Sequence, residues 1–483
     1  MPRIASESAC ATCLARKVKC DGHVPVCRNC LRRRITCKRR SHELRFVIHS
    51  DQPLDENPGR RSPTVSNQIP ASSPPKNESD DCSHEWAAEL ASQSPSSALT
   101  SPEIASLFQH YITVLAPWYD LNDSHRLFGT VVPERALCVP ILFKAIIAFS
   151  AMHWYRVTGK LRSIGPAFHT ACGRELLDAI DSLSGSHGEY IASTCLLRSY
   201  EILDGDSRGN QRHLLGAYSF AVTDATIDLS ERGLAQAGVW NYLREEITVG
   251  LECQRPVRIC TDFPTFKPDG SYDDDGSDDD MKSNIVTYIL ALVINYCFER
   301  NDETTNVNDS GSSKNNAVSQ GQRIATWHKL KRHLFTWESY LPASFLPFST
   351  APRPGNPFPS YWILSPWHVA GLQYASIAEI LLALYDPTHD AMPRYFTKLD
   401  QHTFETIQEH TLRVCGLAYT NDDASARVNA FGPLSFCGRF LLQPAQRKAV
   451  EEMLLEYSIP TAWPVHHIIR DLKDYWELIH LGR

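Results

Sequence analysis

From Pro102 onward the apolar positions of this 483-residue chain recur at helical spacing. Ile104, Leu107, Phe108, Tyr111, Ile112 and Leu115 fall on one face, with Ser101 placed to cap the first turn ahead of Pro102. Ile141, Leu142, Ala145, Ile146, Phe149 and Met152 make a second face. Further helical patterns run over about 187–204, 211–228, 236–252, 285–298, 321–337, 366–385, 401–419 and 445–457. Strand-like alternation is scarce, so residues 101–483 are expected to form a large all-α domain. Two polar stretches, near 269–280 and 301–320, read as flexible insertions on it. The longest apolar run, Ile285–Phe298, falls short of the ~18 residues of a membrane span. It also contains Thr287 and Asn295, so it reads as a buried core helix, and no membrane partner is expected.

Upstream the periodicity vanishes. Residues 50–100 are rich in Pro and Ser and predict a disordered linker, because such a segment buries too little apolar surface to offset its ordering. Four Ser-Pro dipeptides, beginning at Ser62, Ser73, Ser94 and Ser101, are weak candidates for proline-directed phosphorylation. No sustained heptad marks a coiled coil.

The first 49 residues have neither pattern, and cysteine spacing organises them instead. CATCLARKVKC and CRNCLRRRITC repeat C-x2-C-x6-C seventeen residues apart, supplying Cys10, Cys13, Cys20, Cys27, Cys30 and Cys37. Zinc prefers four soft ligands in a tetrahedron, and six thiolates satisfy two zinc ions when two of them bridge. Each half reads as one short helix after its C-x2-C, with turn chemistry at Asp21-Gly22 and Pro25 between them. So small a unit lacks a hydrophobic core, and its folding should depend on zinc. A disulfide framework would also use an even number of cysteines, but it goes with a secretory signal, which the opening MPRIASESAC does not suggest.

Charge sharpens this picture. Residues 1–50 hold twelve Lys/Arg against three acids, a net of +9, which leaves −16 of the chain's −7 on the remainder. A basic head on an acidic body is the asymmetry expected of a nucleic-acid binder.

The six-cysteine spacing resembles the fungal binuclear zinc-cluster DNA-binding domain. That resemblance implies Cys10 and Cys27 as bridging ligands, Cys13 and Cys20 completing one zinc site, and Cys30 and Cys37 the other. It also implies that the lysine three residues before the third cysteine, Lys17, reads base edges of a CGG-like triplet. Arg16 and Lys19 flank it, and Arg34 is its pseudo-symmetric counterpart. Arg28, Arg32 and Arg33 are more suited to phosphates. Lys38-Arg39-Arg40 doubles as a candidate nuclear-import patch. Phrases of the helical body, among them LAPWYDLNDSHRLFGTVVP, VWNYLREEITVGLECQRPVR and VCGLAYTNDDASARVNAFGPLSFCGRFL, resemble the fungal-specific transcription factor domain of the acriflavine-sensitivity-control type.

The resemblance implies a nuclear regulator of RNA polymerase II transcription: a small zinc-stapled two-helix DNA-binding domain plus a large all-α regulatory domain. Its partners would be double-stranded DNA, two zinc ions and the transcription machinery, with a second copy and a small-molecule effector as further candidates. Two rival classes fit less well. A RING-type adaptor needs eight cross-braced ligands, and the enzyme motifs G-x-G-x-x-G, G-x4-G-K-[ST], G-x-S-x-G and H-E-x-x-H are absent. The nine other cysteines, His466-His467 and Trp118, Trp240, Trp362 and Trp367 read as core or surface residues. The aspartates at 273–275 and 278–280 read as a solvated acidic loop.

Overall fold

A computed structural model describes residues 12, 13, 16, 18, 28–33, 79–182, 187–205, 229, 231–259, 261, 279–298, 312–388 and 399–481. The chain divides into two compact units, Met1–Ser72 and Ser73–Arg483.

The second unit is built around two helices, Asp279–Phe298 and Pro366–Leu384, packed along each other. Both are apolar on nearly every side, which is why neither shows a solvent face. By length and composition each could cross a membrane, yet 78% and 83% of their most apolar windows are buried inside the protein. Some polar positions bond within the pair, the Thr287 hydroxyl donating to the Ser283 carbonyl and the Ser283 hydroxyl to the Trp367 carbonyl, and others bond outward, the Asn284 amide donating to the Asn122 carbonyl. Helix Leu234–Cys253 and helix Ser312–Ser339 pack on the first of the pair, and helices Gln401–Thr420 and Ala424–Cys437 on the second.

A second layer surrounds Pro140–Thr158, which packs against Ile164–Ser182 and His187–Asp204. His187–Asp204 also packs on Leu234–Cys253 and so joins the layers. Among the described residues there is no regular strand, only an isolated antiparallel bridge between Ser349 and Trp362. The cap expected at Ser101 is present, its hydroxyl accepting from the Ile104 N–H ahead of Pro102.

Three expectations change. The stretch 50–100 contains helix Ser79–Ser92 and the short helix Pro95–Ala98, with Ala87, Leu90, Ala91 and Ala98 buried. The alanines and leucine of EWAAELAS supply a narrow apolar stripe that packs on Ile164–Ser182. Ser94 caps Pro95–Ala98, accepting from the Ser97 N–H at 3.3 Å, so both Ser94-Pro95 and Ser101-Pro102 act as helix starts. In the acidic stretch, Asp279 and Asp280 open a core helix and are not a solvated loop. Asp280 is 2% exposed, and its carboxylate accepts from both terminal nitrogens of Arg232 (3.0 and 3.1 Å) and from the Ser124 N–H (2.7 Å). In the polar stretch 301–320, helix Ser312–Ser339 has already begun. The helix expected over 211–228 lies outside the described residues.

Close approach fixes one helical glycine. A Cβ on Gly416 would meet the Pro359 carbonyl oxygen at 2.1 Å and the Tyr361 ring at 3.2 Å. Gly→Ala within an open helix ordinarily stabilises by roughly 0.5–1 kcal/mol. Here overpacking reverses the sign: Gly416→Ala is expected to destabilise by about 1–3 kcal/mol, read as a lowered urea midpoint.

Candidate nucleic-acid interface

In the first unit Cys13 lies in a helical turn, where the Arg16 N–H donates to the Thr12 carbonyl at 3.3 Å and the Val18 N–H to the Cys13 carbonyl at 3.1 Å. Cys30 lies on helix Arg28–Arg32, which brackets this cysteine and does not begin after it. Both thiols are fully buried, and their sulfurs stand 3.9 Å apart. That distance excludes a disulfide, which needs about 2.05 Å. Two sulfurs on one zinc stand about 3.8 Å apart for Zn–S bonds of about 2.3 Å, so this spacing departs from the expected arrangement, which puts Cys13 and Cys30 on different zinc ions. Two buried thiols in contact within a six-cysteine segment suit a shared metal cluster by their chemistry, since soft sulfur is a preferred zinc ligand.

Basic side chains accompany the pair. Arg32 and Arg33 are exposed at the end of the helix carrying Cys30, and Arg16 is half-buried in the turn carrying Cys13. Cys10, Cys20, Cys27 and Cys37, with Lys17, Lys19 and Arg34, lie outside the described residues. Of the six expected ligands, the structure therefore brings together Cys13 and Cys30; of the four expected DNA-contacting residues it describes Arg16.

Residues 8–45 match the fungal Zn(2)-Cys(6) binuclear cluster domain. This chain carries a fungal zinc-cluster domain. Residues 106–223, within the second unit, match the fungal specific transcription factor domain. The transcription activator AMTR1 of Alternaria alternata is similar, with 23% identity over 339 residues covering 60% of this chain and 44% of that protein. The chain thus spans less than half the length of this relative. No solved structure matches.

Cysteines of the helical unit contrast with the Cys13–Cys30 pair. Cys172, Cys195, Cys297, Cys415 and Cys437 are buried, and desolvation pushes each thiol up, away from the thiolate a metal needs. Cys138 and Cys253 are exposed. No group of three or more metal-ligating side chains occurs among the described residues.

A polar cluster that no sequence motif marks lies inside the helical body. Arg198 of His187–Asp204 meets Glu245 at 3.1 Å and Glu246 at 2.9 Å, and Arg255 meets Glu246 at 3.0 Å. One sequence signal points to it: Arg-Glu-Glu at 244–246 puts three consecutive charges on a largely buried helix, where unpaired charge is costly.

Proposed function

We propose that this zinc-cluster protein is a sequence-specific DNA-binding transcription regulator of RNA polymerase II genes, acting in the nucleus on CGG-like triplets. The observation that carries the reading is the buried Cys13–Cys30 pair at 3.9 Å, beside exposed arginines, inside a matched zinc-cluster domain. In this reading Cys10, Cys13, Cys20, Cys27, Cys30 and Cys37 hold two zinc ions. Zinc supplies no reaction here; it replaces the core that the segment is too small to build.

Lys17 would donate to guanine O6 and N7 at the base edge, with Arg16, Lys19 and Arg34 beside it. Arg32 and Arg33 would meet phosphates, which fix register and supply the salt-dependent part of affinity. The helical unit would carry regulation, through the transcription machinery, a second copy of the chain or a small-molecule effector. The printed description of the Alternaria relative as a transcription activator supports regulation as the output.

Lys17→Ala is the direct test. Losing a good base contact costs roughly 1–3 kcal/mol of discrimination, about 5–150-fold. Competition between CGG and scrambled duplexes should show that loss, while affinity for scrambled duplex falls only slightly. An unchanged preference in the variant would remove Lys17 from base reading. Specific binding that survives complete zinc removal would remove the cluster from the function altogether.

A further inference from the structure

Five segments with no recognisable catalytic or metal-binding motif meet at one cavity of the helical unit, of about 100 Å³. Trp118 comes from the segment after Tyr111–Leu115, Asn241 and Arg244 from helix Leu234–Cys253, and Val428 and Asn429 from helix Ala424–Cys437. Trp463 closes the wall, its ring stacked on Phe431 at 5.4 Å. The space is below the 300–1,000 Å³ of a drug-sized pocket and suits one ring with a small substituent.

Arg244 sets the chemistry. It is 8% exposed, its Nη2 donates to the neutral Asn241 side chain, and its buried Nε has no hydrogen-bond partner. Nearby carboxylates have other cations. Glu245 also lines the cavity but faces the Arg198 Nε at 3.1 Å and accepts from the Ser199 hydroxyl. Glu246 lies between Arg198 and Arg255. Glu252 lines the cavity eight residues on, about 12 Å further along the helix axis. Glu245 and Glu246 thus have Arg198 and Arg255 within salt-bridge distance, whereas among the described residues no carboxylate lies that close to Arg244, which acts on Glu245 only at longer range; a buried guanidinium so placed can take an incoming anion. The guanidinium fork fits a carboxylate bidentately, and the tryptophan walls fit an aromatic ring.

We propose that this cavity binds a single-ring aromatic carboxylate, its anionic end on Arg244 and its ring against Trp118, Val428 and Trp463. The site draws on elements from separate parts of the helical unit, so occupancy would tie their packing together. This deepens the effector role proposed above. Its test is run without DNA, so that failure here and failure of the DNA-binding reading are told apart.

Sodium benzoate is the probe, added to the zinc-loaded full-length chain and followed by calorimetry and thermal unfolding. Saturable binding with a raised melting midpoint is expected, and neutral benzamide should bind at least tenfold more weakly. Arg244→Met should abolish the preference for benzoate over benzamide. Val428→Trp, which fills the apolar wall and keeps Arg244, should block both ligands, and it decides the matter if the first variant does not fold. Equal binding of benzoate and benzamide, absence of saturable binding at millimolar benzoate, or undiminished binding in either folded variant would overturn the proposal.

Discussion

Zinc removal from the full-length chain is expected to abolish CGG-selective DNA binding while leaving the helical unit folded. Structural zinc contributes about 10–16 kcal/mol to comparable small domains at neutral pH, more than their packing supplies. Among its described residues the first unit offers little to set against that loss. Its buried described side chains are Cys13 and Cys30, whereas the helical unit has an extensive apolar core of its own. Chelated protein should therefore lose selective duplex binding in competition assays yet keep most of its far-ultraviolet helical signal and its main unfolding transition. Elemental analysis should give two zinc ions per chain before chelation, and returning zinc should restore selectivity. Cys13→Ser should reproduce the loss without chelator, since an alcohol is a poor replacement for a buried thiolate ligand. Selective binding by the metal-free chain would contradict the expectation. So would a zinc content of one, which would leave two of the six cysteines outside the metal site.

The parts of this molecule legible in its sequence are those whose cause is local. Spacing alone pointed to a metal site at Cys10–Cys37, because zinc's demand for four ligands is written into short intervals. Continuous apolar runs marked the two central helices, because a helix buried on every side needs no polar face. Helix Ser79–Ser92 is not legible in the sequence because its short apolar stripe sits within a Pro/Ser-rich stretch and becomes worthwhile only against Ile164–Ser182. Asp280 looks solvated in the sequence because its cation, Arg232, lies 48 residues away. Asp279 likewise meets His368 at 2.9 Å, across 89 residues. The cavity around Arg244 was hidden for the same reason: its walls come from positions near 118, 244, 428 and 463. Contacts between distant segments carry no local periodicity, so what they assemble is visible only after folding.

Truncating Arg198 is expected to be the most damaging single change in the helical unit. The side chain is 5% exposed, contacts Glu245 and Glu246, and lies over the Tyr242 ring at 4.7 Å. Arg198→Leu would leave two buried carboxylates short of a cation, and such a loss costs about 3–5 kcal/mol. The cost should depend on pH with a definite sign. Burial alone would raise the Glu246 carboxyl, but Arg198 and then Arg255 hold it down at about 2. A folded-state value below the ordinary 4.5 means that the stabilisation is complete above that pH and disappears as pH falls toward 2. The difference in unfolding free energy between the native sequence and Arg198→Leu should therefore be largest near neutral pH and shrink through that window. Burial acts without full compensation on Glu245, raising its carboxyl to about 7 despite Arg198 and Arg244, so this group gives up its charge more readily when Arg198 is lost. Adding Glu246→Gln to Arg198→Leu should recover part of the loss, since the second change removes the charge the first left exposed to a low dielectric. Urea unfolding of both single variants and the double variant at neutral and acidic pH measures the coupling. Strict additivity at neutral pH, or a penalty for Arg198→Leu that does not fall with pH, would mean that Arg198 acts through packing on Tyr242 and not through charge.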